Sequence, residues 1–437
     1  MGKSVPEKIR ESGVVGAGGA GFPTDVKVNT KAEVVIANGA ECEPLLRVDQ
    51  QVMVCHAKEM VNGLRLVMEA TQAKSGVIAL KDHYEDAIGA LRAELSGQKD
   101  VTLHIMKSYY PAGDEQQIVY EVIGKVVPTG GLPLDVGAVV SNVSTLVNVS
   151  RADSGTPVTE KYVTVGGAVK HPVTLNAPVG ASMSRLLELA GGVTCDCDYI
   201  VGGPCMGQVI TDSDKPVTKT TGGIIALPKG HRLFASKSAA MNLQLVKAVC
   251  CQCMMCTIMC PRNALGLHVE PHKAMRSIAH GKDLYGGNLN GIFSCCDCGL
   301  CTYSACNFGL KPHKVMAELK AGLARNGVKA KKEVYAGVDG AIGTKRMPVS
   351  RLISRLGVSS YDVDAPLDTQ VIAVDEVRIP LKMHVGAPSV PVVNEGRRVK
   401  KGDLIADIPQ GALGAKIHAS IDGSVTKVTD SEIWLRS

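Results

Sequence analysis

The stretch CCQCMMCTIMCP, residues 250–261, carries five of the chain's fifteen cysteines. Counted from Cys250, the thiols of Cys253, Cys256 and Cys260 read C-x2-C-x2-C-x3-C, and Pro261 closes the run. Three thiolates at three-residue steps wrap one cuboidal iron–sulfur cluster, and the fourth, carried onto the next turn, reaches a second cluster. A second run, CCDCGLCTYSAC at residues 295–306, repeats the step with Cys295, Cys298 and Cys301, then places Cys306 after a gap of four residues with no proline behind it. The crossed rule of two-cluster proteins groups Cys250, Cys253, Cys256 and Cys306 around one [4Fe–4S] cluster, and Cys295, Cys298, Cys301 and Cys260 around the other. Zinc ribbons use two C-x2-C knuckles, so a third cysteine at the same step in both runs argues against zinc. Cys251 and Cys296 fall off the step and read as small packed thiols beside the clusters, with a backup ligand or a tuner of cluster potential as the other reading.

Working outward, 437 residues exceed one hydrophobic core, so several domains are expected. A hydrophobic content of 45% with 21% charged residues is that of a globular chain. The net charge of +6 is spread along the sequence, which disfavours a nucleic-acid stripe. No apolar run reaches eighteen residues, so no membrane span is expected. The start, MGKSVPEKIRESG, has no apolar signal core, which predicts a cytoplasmic protein. An odd number of cysteines in a reducing compartment points to metal rather than to disulfides.

The second informative stretch is SGVVGAGGAGFPTDVKV, residues 12–28. Gly16, Gly18, Gly19 and Gly21 let the backbone approach a bulky anion and offer it N–H groups. No lysine stands where a phosphate-binding P-loop needs one. Downstream, AEVVIANGAE reads as a buried strand, QVMVCHAKEMVNGLRLVMEA as a helix, SGVIALK as a strand, DHYEDAIGALRAELSG as a helix and DVTLHIMK as a strand. Strands alternating with helices predict a parallel α/β sheet, with ligands beyond the carboxyl ends of its strands.

GAGGAGFPTDVK, NGAECEP and the segment Tyr109–Leu146 resemble the family of the FMN- and NADH-binding subunit of respiratory complex I. That family also holds the RnfC-like proteins of the Rnf electron-transport complex and the cobalamin reductases of propanediol-utilisation microcompartments. The resemblance implies that Gly16, Gly18, Gly19 and Gly21 cradle flavin and nucleotide phosphates, and that Phe22 stacks on the nicotinamide cofactor. It implies Lys27 and Asn142 as FMN contacts, and Asn38, Glu41 and Glu43 as the lining of the flavin–nicotinamide gap. Where the complex I protein has two consecutive acidic residues, this chain has Ala40 and Glu41. Read without the resemblance, Glu41 and Glu43 are turn-solvating acids, Lys27 is a surface charge and Asn142 is a helix cap.

The resulting expectation is a multidomain α/β protein. A Rossmann-like FMN/NADH domain spans 1–155, and a β-grasp (SLBB) domain spans 156–235. A helical, ferredoxin-like domain with two [4Fe–4S] clusters spans 236–327, a solvated linker with one short helix 328–372, and a barrel-sandwich hybrid 373–437. The last resembles biotinyl and lipoyl domains, but its GALGA tip carries no lysine and Lys416 lies past it, so neither prosthetic group is expected. Cys195, Cys197 and Cys205 match no metal spacing, and His272, His280 and His313 near the thiol runs read as structural.

NADH delivers two electrons as hydride and a cluster takes one, so a flavin belongs between them and no catalytic acid or base is needed. The expected function is NADH-dependent electron transfer to a corrinoid or another electron-acceptor protein, as in a cobalamin reductase. An Rnf-type NADH:ferredoxin electron-transfer protein is the second reading, and a non-catalytic electron wire or scaffold the third. The flavin loop comes first here and the barrel last, whereas the Rnf protein has its barrel ahead of the flavin domain. The resemblance also makes microcompartment enzymes partners to consider, and the microcompartment lumen a second compatible location.

Overall fold

Four parallel strands build the first unit, in the spatial order Val101–Met106, Ser75–Lys81, Val34–Gly39, Ala138–Asn142. In the computed structural model that shows this, residues 2–238, 241–280, 286–333, 335 and 337–437 are described. Alternate side chains of Val34–Gly39 leave on opposite faces. Val35 and Ala37 pack with Leu64, Val67 and Leu146, while Val34 and Ile36 pack with Met106, Ile118 and Val119. Helices therefore cover both faces, which is the condition a parallel sheet requires. At Gly63 an added Cβ would lie 1.9 Å from the Leu146 carbonyl oxygen, so glycine lets helices Ala57–Thr71 and Val143–Asp153 cross closely.

The stretch expected as one helix from Gln51 onward is two, Val48–Cys55 and Ala57–Thr71. They part at His56, which leaves helical geometry with φ −125° and ψ 27°. Its ring is held from both sides: Nδ1 lies 2.6 Å from Glu59 Oε2, and Nε2 lies 2.8 Å from the Tyr162 hydroxyl of the next unit.

That next unit is a six-stranded mixed sheet in the order Leu367–Val371, Val173–Pro178, Glu160–Gly167, Gly223–Pro228, Cys197–Val201, Gln208–Ile210. Glu160–Gly167 and Gly223–Pro228 run parallel side by side, and helix Met183–Leu189 packs Leu186 and Leu187 onto Val163, Val165 and Ile224. This is the β-grasp arrangement.

The thiol runs sit in a third unit of short helices, with Val246, Leu267, Met275, Ile292, Val315 and Met316 in its core. The stretch 238–249 leads into the first run, and its residues 239–240 lie outside the described residues. Leu243–Val249 is helical, and Asn242 Oδ1 accepts from the Leu245 N–H. The side chain of His280 also lies outside the described residues.

The last unit is a two-sheet barrel. One sheet has the order Glu376–Pro380, Glu432–Arg436, Gly423–Val428, Arg398–Val399, and the other Val390–Pro391, Leu404–Asp407, Ile417–His418.

Residues 347–371 differ from the expected solvated linker. Met347–Pro348 pairs with Tyr109–Tyr110 of the first unit, and helix Val349–Leu356 buries Leu352, Ile353 and Leu356 against Leu46, Tyr110, Cys298 and Leu300. Leu367–Val371 then adds an edge strand to the mixed sheet. The reason is visible in RLISRL: apolar residues at positions 352, 353 and 356 give one apolar helical face, and that face needs a partner.

Candidate functional site

The glycine loop lies across the carboxyl ends of the parallel strands. Asn38 and Asn142 are register partners there, on adjacent strands. A Cβ on Gly18 would fall 2.6 Å from Asn142 Nδ2, so the loop can rest on that amide only as glycine. Ala17 fixes the loop, with its N–H donating to Thr145 Oγ1 at 2.9 Å and its carbonyl accepting from Lys161 Nζ at 2.9 Å. Gly18, Gly19 and Ala20 are exposed, and their N–H groups donate to no partner among the described residues. Three successive free N–H groups, with buried Lys161 behind them, form a cradle suited to a phosphate.

Sequence reasoning placed Asn142 either on the flavin or at a helix cap, and the cap is present. Asn142 Oδ1 accepts from the Ser144 N–H at 2.9 Å, and its Nδ2 donates to Asp49 Oδ2 at 2.8 Å. Asn38 Nδ2 donates to the Gly113 carbonyl at 2.9 Å. Lys27 reaches the same edge, where its Nζ pairs with Glu115 Oε1 at 3.0 Å. Phe22 is exposed, and Gly21 sits with φ +74° against the barrel, its carbonyl accepting from the Val385 N–H at 3.1 Å.

Asp49, Lys161 and Lys81, buried behind this edge, were not foreseen. Charged residues inside apolar strand text, as in SGVIALK and KYVTVGG, were the available signal. Burial, then the charge of Glu41, pushes the Asp49 carboxyl up; burial pushes the Lys161 amine down. Glu41 is likewise pushed up by desolvation.

Glu43 forms the joint to the next unit. Its carboxylate accepts from the N–H groups of Cys205 (2.8 Å) and Met206 (2.9 Å), in a turn that approaches closely because Gly203 has no side chain. Burial outweighs those two bonds and pushes Glu43 up to about 7. Cys205, taken from sequence as a structural thiol, thus contributes its backbone. Cys195 and Cys197 stand with Sγ atoms 3.6 Å apart on the mixed sheet.

The thiols gather into two wells. Burial, then the proximity of Cys306, Cys250 and Cys253, pushes Cys256 up to about 12. Burial, then Cys295, Cys260 and Cys256, acts on Cys301 in the same direction; at Cys298 the hydrogen bond with Cys296 acts first, then burial, with Cys260 and Cys301 after them. Cys250, Cys253, Cys256 and Cys306 thus lie near one another, as do Cys260, Cys295, Cys298 and Cys301, and Cys256 is also near enough to act on Cys301. Desolvated thiols pushed upward want a cation, and four of them facing a common space suit a cluster. Among the described residues, no three Cys, His, Asp or Glu side chains converge as tightly as a single ion requires.

The two runs also share backbone geometry that sequence reasoning overlooked. Gln252 and Met254 in the first run, and Asp297 and Gly299 in the second, all have positive φ, between 55° and 72°. Each run is followed by a matching clamp. Thr257 Oγ1 lies 2.7 Å from His272 Nδ1, and Thr302 Oγ1 lies 2.6 Å from His313 Nδ1. The signal was a repeated C-T followed by P-H-K-x-M, at 256–275 and at 301–316. Burial pushes both imidazoles down, His313 to about 4, so they stay neutral and structural.

The wells differ in setting. Cys260, Cys298 and Cys301 are buried, and the Cys298 carbonyl accepts from the Tyr110 hydroxyl at 2.7 Å, with Glu43 Oε1 3.4 Å from the same hydroxyl. Cys253 is exposed, and Cys250, Cys256 and Cys306 are partly so. Cys251, expected as a packed thiol, is exposed at the rim of this well; Cys296 is partly buried, beside Arg262. Arg262 grips Asp114 with both ends of its guanidinium, at 2.5 and 2.7 Å, and ties the thiol unit to the sheet unit.

Residues 9–151 match the Nuo51 FMN-binding domain, residues 249–311 a 4Fe-4S dicluster domain, and residues 364–437 the RnfC barrel sandwich hybrid domain. Cobalamin reductase PduS of Citrobacter freundii is 41% identical, over 99% of this chain and 96% of its own. PduS of Salmonella typhimurium is also 41% identical, over 98% and 95%. A component of the Na(+)-translocating ferredoxin:NAD(+) oxidoreductase complex of Acetobacterium woodii is 33% identical, over 61% of this chain and 59% of that one.

Proposed function

The chain belongs to the family of the PduS cobalamin reductases, and on that premise we propose that it oxidises NADH and delivers the electrons one at a time to a corrinoid. The observation that carries this reading is the asymmetry of the two thiol wells. In one well Cys260, Cys298 and Cys301 are buried and Cys295 is partly exposed, and the Tyr110 hydroxyl that donates to the Cys298 carbonyl lies 3.4 Å from Glu43; in the other no thiol is buried and Cys253 is exposed. With FMN and both clusters bound, the Cys260, Cys295, Cys298, Cys301 side would take electrons from the flavin and the Cys250, Cys253, Cys256, Cys306 side would pass them on.

FMN supplies the conversion from a hydride pair to single electrons. The chain's own residues do the rest. Gly18, Gly19 and Ala20 offer N–H groups to phosphate, and Asn38 and Asn142 hold the loop and strand ends in register. Glu41 and Glu43 line the gap beside the nicotinamide, and Phe22 gives it an apolar face. Eight cysteines hold the two clusters, with Thr257–His272 and Thr302–His313 fixing the turn after each run. No side chain acts as nucleophile.

Among the described residues no helix is long and apolar enough to cross a membrane. We place the protein in the cytoplasm, with the lumen of a microcompartment as the finer assignment and the corrinoid-using enzymes there as its partners.

The test compares acceptors. Anaerobically reconstituted protein is mixed with NADH and either cob(II)alamin or oxidised ferredoxin. Flavin bleaching followed by corrinoid reduction is expected. Rapid ferredoxin reduction with no corrinoid turnover would move the assignment to the Rnf-type reading, and no bleaching at all would move it to the scaffold reading.

A further inference from the structure

A cleft of about 390 Å³ opens beside the exposed well, and Cys306 lines it. Its walls are helix Arg232–Ser238, the turn Cys301–Ala305 with the residues after it, and the carboxyl end of helix Val349–Leu356. Arg232 and Arg355 both face the cleft, with Ser236, Tyr303 and Asn307. No acidic residue lines it, and neither guanidinium has a carboxylate partner among the described residues.

A guanidinium carries five N–H donors. Arg355 Nη2 donates to the Ser304 carbonyl at 2.7 Å. Arg232 caps the helix by donating to the carbonyls of Ser354, Arg355 and Leu356. Both interactions are with neutral carbonyls. They fix the positions of two positive charges and leave donors on each unspent. Paired, held arginines without a counter-ion are the arrangement that recognises a phosphate ester.

We propose that this cleft seats the phosphate ester of the electron acceptor. The inference rests on the corrinoid reading above and deepens it. A cobalamin carries one phosphodiester, in its nucleotide loop. The cleft has room for that group and its sugar, and the macrocycle would lie across the mouth, beside Cys306. Cobinamide, the same macrocycle without the nucleotide loop, lacks the anchoring group.

Binding to the reconstituted full-length holoprotein is measured by equilibrium dialysis without NADH. Cobalamin is expected to bind about tenfold more tightly than cobinamide, as one lost charge-assisted contact implies. Inorganic phosphate should compete with cobalamin only. Arg355→Gln should erase the difference between the corrinoids, and Arg355→Lys should keep most of it. Equal binding of the two corrinoids by the wild-type protein, or discrimination that survives Arg355→Gln, would overturn the proposal. AMP serves as the arm for a nucleotide source: Arg355-dependent AMP binding with Arg355-independent cobalamin binding also overturns the corrinoid assignment of the cleft. The two readings fail separately. Sustained NADH-driven reduction of both corrinoids at equal KM would sink the cleft alone. Arg355-dependent phosphate binding, seen as 31P line broadening, with no corrinoid reduction would sink the function and keep the anion seat.

Discussion

Glu43 and Lys219 are single residues whose burial sets opposite pH dependences. Glu43 sits at about 7 in the folded protein against an ordinary 4.5, so the folded state holds its proton longer than the unfolded chain does. The stability it contributes is complete below about 4.5 and is lost as pH rises through about 7. Thermal unfolding across this window should therefore show wild-type stability falling relative to Glu43→Gln, and parallel curves for the two proteins would refute the assignment. Lys219 is the reverse case. Its Nζ donates to the carbonyls of Gly13 (2.7 Å) and Lys416 (2.8 Å), and burial alone pushes it down to about 7 from 10.5. Here the unfolded chain binds more protons, so stability should rise between about pH 7 and 10.5 in the wild type and not in Lys219→Met.

At the scale of elements, the thiol turns are the units that matter. Replacing Cys253 with Ser removes a ligand from the exposed well only. Iron per chain should drop by about half, one cluster of two, while NADH still bleaches the flavin and transfer to the acceptor stops. Loss of flavin bleaching as well would mean that electrons do not enter where we place them. These turns were readable in the sequence because cluster ligation is a matter of spacing, and spacing survives without coordinates. The parallel strands were readable for a similar reason, since Val34 to Ala37 is continuously apolar and two-sided burial leaves that mark. The break at His56 was not, because its cause is a hydrogen bond to Tyr162, more than a hundred residues away. The Asp49–Lys161 pair and the backbone of Cys205 were hidden in the same way: each acts across a boundary between units, where local pattern carries no information.

For the whole molecule, the strap formed by residues 347–356 packs against both the sheet unit and the thiol unit. Leu352 is fully buried in the core shared by Leu46, Tyr110, Cys298 and Leu300. Leu352→Ala should cost about 3 kcal/mol through the cavity it leaves. Stopped-flow absorbance should then show flavin reduction by NADH near the wild-type rate and slowed bleaching of the iron–sulfur absorbance; equal slowing of both would mean that the strap serves general stability and not the joint. The glycine loop has an equally distant support. Gly21, near the beginning of the chain, hydrogen-bonds to Val385, near its end. A ribosome makes the first long before the second, so this brace is added late to the earlier hold of Thr145 and Lys161 on Ala17. A chain cut before the barrel should therefore keep the brown absorbance of its clusters while, without the Val385 contact at Gly21, it loses flavin more readily on dilution.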